Sequence, residues 1–142
     1  MSFSVGSIGL PNVGKSTLFQ QLTKKPVDIA DYPFTTIHPN IGVVQVPDER
    51  LEKIAQITKP EKVTPTVIEF IDIAGLIKDA HLGKGLGNQF LEQIKNCAAL
   101  LEVVDCFREN SNPEADIETI KTELAAKNLD QKPIVYVYNT KD

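Results

Sequence analysis

An α/β domain, with a mostly parallel, twisted sheet and helices on both faces, is the fold the sequence predicts, and three observations predict it. Short β-prone apolar runs alternate with segments of helical spacing along the whole chain. The run Val67-Ile68-Glu69-Phe70-Ile71 is nearly unbroken in its apolar character, which suits a strand covered on both sides. The first β-prone run passes through a glycine-containing turn straight into a helical pattern, as parallel α/β topologies begin.

Val5 and Ile8 mark that first strand, and Leu18, Phe19 and Leu22 follow at helical spacing. From Pro26 to Asn40 the chain carries three prolines, two adjacent threonines and no helical period, which reads as a long loop. Loops longer than about 12 residues are commonly functional. Gly42-Val43-Val44-Gln45-Val46 reads as a strand. Pro47-Asp48 then opens a helix with Leu51, Ile54, Ala55 and Ile57 on one face, and Lys59-Pro60 closes it, because proline disfavours helical backbone in the residue before it. After the Val67 strand comes a glycine-spaced segment from Gly75 to Gly87, then a helix carrying Phe90, Leu91 and Ile94. Leu100-Leu101-Glu102-Val103-Val104 reads as a buried strand. Asn112-Pro113 has the form of an N-cap with proline at the first helical position, leading a helix through Ile117, Ile120 and Leu124. Ile134-Val135-Tyr136-Val137-Tyr138 is the last strand. No repeat, low-complexity tract or linker divides the chain, so residues 1–142 are expected to form one domain.

With 142 residues, 42% hydrophobic and 24% charged, the composition is that of an ordinary soluble protein. A chain of this length buries roughly 68–70% of its unfolded surface and needs no disulfide or metal to hold a core. Fifteen Lys and Arg against nineteen Asp and Glu leave a net charge of −4, which argues against broad, sequence-independent phosphate binding, and no direct DNA binding is expected. No apolar run approaches the ~20 residues of a membrane-spanning helix, and Met1-Ser2-Phe3-Ser4 lacks the basic and apolar regions of a leader. A cytoplasmic protein without a membrane partner is expected, with Cys97 and Cys106 as reduced thiols.

Four segments carry chemistry. Gly9-Leu10-Pro11-Asn12-Val13-Gly14-Lys15-Ser16 matches GxxxxGK[ST] between a strand and a helix, the context such a phosphate-binding loop requires. Backbone N–H groups from Asn12, Val13, Gly14, Lys15 and Ser16, with Thr17 in the same turn, can converge on a polyphosphate where the helix dipole favours negative charge. Lys15 is placed to neutralise β- and γ-phosphate oxygens, and the Ser16 hydroxyl to ligate Mg²⁺. Asp72-Ile73-Ala74-Gly75 is a DxxG at the carboxyl end of a buried strand, where ligand sites of open α/β sheets lie. Its Asp72 can hold a water on Mg²⁺, while the Gly75 N–H reaches toward the γ-phosphate. In the loop Tyr32 to Asn40, Thr36, in preference to Thr35, can complete the Mg²⁺ shell and signal the γ-phosphate, so that hydrolysis releases the loop. Lys15, Thr36 and Gly75 thus form the expected catalytic set.

Asn139-Thr140-Lys141-Asp142 stands where an NKxD base-reading motif falls, with Thr140 in the usual lysine place. The Asp142 carboxylate can accept from guanine N1–H and the 2-amino group. Together these segments predict a P-loop NTPase G domain that binds GTP or ATP. Leu76 follows Gly75 and, as a hydrocarbon, cannot orient the attacking water. Gly83, Gly85 and Gly87 give the second switch loop freedom to reorder. His38 and His81 lack a second ligand at metal spacing and read as loop histidines; Lys78, Lys84 and Lys95 read as a solvated face.

The strings GLPNVGKSTLF, DYPFTTIHPNIGVVQVPDERL, EFIDIAGLIKDAHLGKGLGNQFL and NPEADIETIKTEL resemble the YchF family, the Obg-like ATPases, within the Obg-related translation-factor-type GTPases. The resemblance implies an OBG-type G domain of a longer cytoplasmic protein that hydrolyses GTP or ATP with Mg²⁺ and associates with the ribosome. It also implies a role for K⁺, since Asn12 resembles the phosphate-loop asparagine associated with K⁺ binding in related GTPases. A cation there would stabilise transition-state charge beside the β/γ bridge. Several positions depart from the family pattern. The helical arm that the family inserts before the last strand is replaced by Leu129-Asp130-Gln131-Lys132-Pro133, and no TGS domain follows Asp142, so the chain is expected to be truncated after the base-recognition motif. Many members carry glutamate at the last base-motif position and accept ATP, whereas Asp142 is that of an ordinary GTPase. Glu102 stands where members often have histidine. The expected function is a Mg²⁺-dependent, nucleotide-gated switch acting with the ribosome. Leu76 keeps open the alternative of a nucleotide-gated ribosome-binding module with negligible intrinsic hydrolysis.

Overall fold

β1 (Phe3–Ile8) lies at the centre of the sheet, flanked by β3 (Val67–Asp72) and β4 (Ala99–Asp105), with β2 (Ile41–Gln45) and β5 (Ile134–Asn139) at the edges, giving the order β2-β3-β1-β4-β5. This is a computed structural model of the chain, and it describes residues 3–25, 27, 28, 31, 32, 40–73 and 87–141. β1, β3, β4 and β5 are mutually parallel, and β2 alone runs antiparallel, against β3. The mostly parallel sheet read from the sequence is therefore present, with strand limits shifted by a residue or two.

Parallel strands finish on the same edge of a sheet. The register pairs Ser7 with Asp72, Ile8 with Glu102 and Asp105 with Asn139, so the carboxyl ends of β1, β3, β4 and β5 stand side by side. Four chain segments far apart in sequence meet there.

α3 (Gly87–Asn96) and α4 (Pro113–Ala125) supply the main core. Phe90, Leu91 and Ile94 of α3 and Ile120 and Leu124 of α4 pack with Ile8, Ile73, Cys97, Leu100 and Leu129, all buried. At about 1.5–3 kcal/mol for each large apolar side chain removed from water, these residues dominate the stability of the domain. α1 (Lys15–Leu22) takes no part in that cluster and packs against β1 and β3. The Asn112 side chain accepts from the Ala115 N–H at 3.2 Å, and Pro113 occupies the first turn of α4, as the local sequence requires. Both cysteines are free thiols, and burial pushes the Cys97 thiol up.

α2 (Glu49–Thr58) begins where Pro47-Asp48 indicated, with Asp48 accepting from the Arg50 N–H at 2.9 Å. It ends at Lys59, whose left-handed backbone (φ 46°) sends its N–H to the Ala55 carbonyl. Its apolar stripe is only partly used. Leu51 lines a cavity of about 550 Å³ with Leu22, Val44 and Val63, while Ile54 and Ile57 are 56% and 82% exposed. Among the described residues, no helix is long and apolar enough to cross a membrane.

Candidate phosphate-binding site

The turn from β1 to α1 is shaped by two glycines. A Cβ on Gly9 would lie 2.8 Å from the Val103 carbonyl oxygen, so glycine lets the chain leave β1 tight against β4. Gly14 has φ 95°, and a Cβ there would sit 2.5 Å from Asn139 Nδ2. Asn12 is left-handed as well, at φ 62°. Two left-handed residues alternating with their neighbours form the kind of turn that gathers successive N–H groups on one side.

α1 differs from the other helices whose amino ends are described. α2 and α4 carry side-chain caps and acidic residues in their first turns, while α1 is preceded by Gly14, has no side-chain cap and has no acidic residue in its first turn. Its first N–H groups and its dipole are therefore not satisfied by a side chain of its own first turn.

Lys15, Ser16 and Asp72 meet at this end of the helix although 57 residues separate Lys15 from Asp72. The Lys15 ammonium forms an ion pair with Asp72 Oδ1, and Ser16 Oγ donates to Asp72 Oδ2 at 3.4 Å. Lys15 is only 8% exposed. One carboxylate and one hydroxyl beside a phosphate turn are hard oxygen donors of the kind Mg²⁺ takes together with substrate phosphates. Among the described residues, no group of three or more His, Cys, Asp or Glu is arranged for a metal. Val13 is buried, Thr17 is exposed, and Asn139 is half-buried. Thr36, Gly75, Leu76 and Asp142 lie outside the described residues.

Two side chains from the neighbouring strand ends hold the loop's carbonyls. Asn139 Nδ2 donates to the Val13 carbonyl at 2.9 Å, so the residue read as a base contact is tied to the phosphate loop. Arg108 Nη2 donates to the Asn12 carbonyl. The arginine is itself held by buried Asp105: Oδ2 faces Arg108 Nε at 3.2 Å, and Oδ1 accepts from the N–H groups of Phe107 and Arg108 at 3.1 and 3.3 Å. Arg108 and Asp105 escaped the sequence reading. An acid and a base three apart just past a buried strand was the available signal, but the phosphate loop as their target is set by tertiary register.

Gly14→Ala is expected to weaken binding of any polyphosphate at least tenfold. The substitution adds about 1–2 kcal/mol of backbone strain and displaces Asn139. Titration with GTP and ATP checks this, and parental affinity would show that the turn does not need its left-handed residue.

Glu102 is a second electrostatic feature. It lies on β4, is 1% exposed, and its Oε1 has no hydrogen-bond partner among the described residues. Burial, with a smaller contribution from the nearby Asp116 carboxylate, pushes its carboxyl up to about 7.

Comparison with known proteins bears on the family and the fold. The 50S ribosome-binding GTPase family matches residues 4–140. The "Ribosome-binding ATPase YchF" of Escherichia coli O157:H7 is 52% identical over 138 residues, covering 92% of this chain and 38% of the relative. The protein of the same name from Bacillus subtilis is 45% identical over the same coverage. Among solved structures, that described as the Schizosaccharomyces pombe YchF GTPase superposes with a TM-score of 0.71 at 38% identity, covering 89% of this chain and 36% of the other. The G domain of the Thermotoga maritima FeoB iron transporter, at 19% identity and a TM-score of 0.53, shares the fold. The chain spans 38% of the length of the curated relatives it matches.

Proposed function

The chain belongs to the YchF family of 50S ribosome-binding GTPases, and from that premise we propose that it binds and hydrolyses GTP or ATP with Mg²⁺, as a nucleotide-gated switch acting with the ribosome in the cytoplasm. One observation carries the reading: Lys15, Ser16 and Asp72 converge at an uncapped helix amino end behind a turn with two left-handed residues. The ion pair with Asp72 keeps the Lys15 charge beside the place proposed for the phosphates. Lys15 would neutralise β- and γ-phosphate oxygens in place of Asp72, and the Ser16 hydroxyl and the Asp72 carboxylate would hold Mg²⁺, directly or through water. Bound Mg²⁺ supplies charge neutralisation at the transferring phosphoryl group.

Thr36 and Gly75 are assigned to the γ-phosphate, Asn139 and Asp142 to the base end, and Asn12 to a K⁺ contact. The ribosome as partner rests on the names of the relatives. The two naming traditions among them, ATPase and GTPase, leave both nucleotides in the proposal. Leu76 supports a second reading, in which the bound nucleotide gates ribosome binding and hydrolysis without the ribosome is negligible.

Single-turnover hydrolysis of GTP and ATP, with and without 50S subunits, tests the proposal. The expected result is slow, Mg²⁺-dependent turnover that rises with ribosomes and is faster in K⁺ than in Na⁺. Equal rates in the two cations would remove the Asn12 assignment. Failure of both nucleotides to bind at millimolar concentration would overturn the function as a whole.

A further inference from the structure

We infer that Arg108 is a positioning residue for phosphate binding, acting through the carbonyl of Asn12. The inference rests on the nucleotide-binding reading above and adds to it a residue from outside the phosphate loop. In a trans peptide the carbonyl of one residue and the N–H of the next point in opposite directions within one plane. A donor that holds the Asn12 carbonyl outward therefore aims the Val13 N–H inward, and one that holds the Val13 carbonyl outward does the same for the Gly14 N–H. Arg108 and Asn139 are those two donors. They come from adjacent strand ends, where Asp105 pairs with Asn139 and the Cys106 N–H bonds to the Asn139 carbonyl at 2.9 Å.

Three further observations make Arg108 more than a passing surface contact. Asn12 is left-handed, a state that asparagine enters more readily than other residues with a side chain, and the Arg108 bond to its carbonyl helps to retain it. The guanidinium is fixed beforehand: Asp105 is 3% exposed and holds its Nε, and the group lies 5.3 Å from the centre of the Phe107 ring. Its planar fork reaches Asp105 through Nε while Nη2 serves Asn12, which a lysine ammonium cannot reproduce with the same geometry.

Arg108→Met and Arg108→Lys test the inference on the full chain, with Mg²⁺ complexes of GTP, ATP and inorganic tripolyphosphate as probes and thermal melting as the control. The Met variant is expected to weaken all three probes by a common factor of about ten, the equivalent of one charge-assisted hydrogen bond, measured below its melting range, which falls because buried Asp105 keeps, among the described residues, only the backbone N–H groups of residues 107 and 108. Lys, which keeps the charge and loses the fork, is expected to recover less than half of that loss on a logarithmic scale. Binding by the Met variant within twofold of the parent overturns the role of Arg108 and leaves the functional reading standing. Full recovery by Lys also overturns it, since charge alone would then suffice. A parent that binds none of the probes overturns the functional reading and the role of Arg108 together.

Discussion

Lys15→Met is expected to abolish measurable GTP and ATP binding, a loss of at least about 100-fold, because it removes the cation that a terminal phosphate meets inside a poorly solvated turn. The ammonium is nearly buried and sits against Asp72, so no other described group stands ready to replace it. Among the described residues, the same change leaves Asp72 with the 3.4 Å contact from Ser16 alone, and its side chain is just 20% exposed. An unpaired, partly desolvated carboxylate should lower the stability of the nucleotide-free chain by about 1–3 kcal/mol. A second variant separates the two effects. Lys15→Met with Asp72→Asn removes the stranded charge, so melting should return toward the parental value while binding stays lost. If the single variant still bound either nucleotide within tenfold of the parent, the phosphate site would have to lie elsewhere.

Glu102→Gln is expected to flatten the pH dependence of stability and to raise stability at pH 8. A carboxyl whose folded pKa is about 7, against 4.5 in the unfolded chain, keeps its proton in the native state over the interval where the unfolded state has lost it. Stability therefore falls as pH rises from about 4.5 to 7, and the loss levels off above that, amounting to about 3 kcal/mol for one such group. The glutamine has the shape of the protonated acid and no charge to desolvate. Denaturant unfolding at pH 5 and pH 8 distinguishes the cases: the parent should lose stability between them, the variant much less. Parallel curves would show that Glu102 finds a compensating partner when ionised.

Local chemistry made much of this molecule legible. Pro47-Asp48 is read as a helix start and Asn112 as a cap because each short polar residue stands ahead of an apolar helical period, and both Asp48 and Asn112 accept from an amide of their own helix. The phosphate loop is legible for the same reason, since the glycines, the lysine and the serine are consecutive. Periodicity shows that Leu51, Ile54, Ala55 and Ile57 share a stripe but not what covers it, and Ile54 and Ile57 are exposed. Arg108 was invisible because its target is nearly a hundred residues away and is a backbone carbonyl, an atom common to every residue. Asn139 was read by its place in a base motif, and its bond to Val13 follows from how β5 lies in the sheet.

With Asn139 at the base end and the first loop at the phosphates, as proposed, the bond between β5 and that loop makes the two ends of a bound nucleotide mutually dependent. A guest that pulls on Asn139 through its base also tugs the turn that cradles its tail, and by thermodynamic reciprocity the tail must favour or resist the base to the same degree. Discrimination among bases should therefore differ between nucleotides with a full phosphate chain and bare nucleosides, even though no phosphate oxygen touches a base.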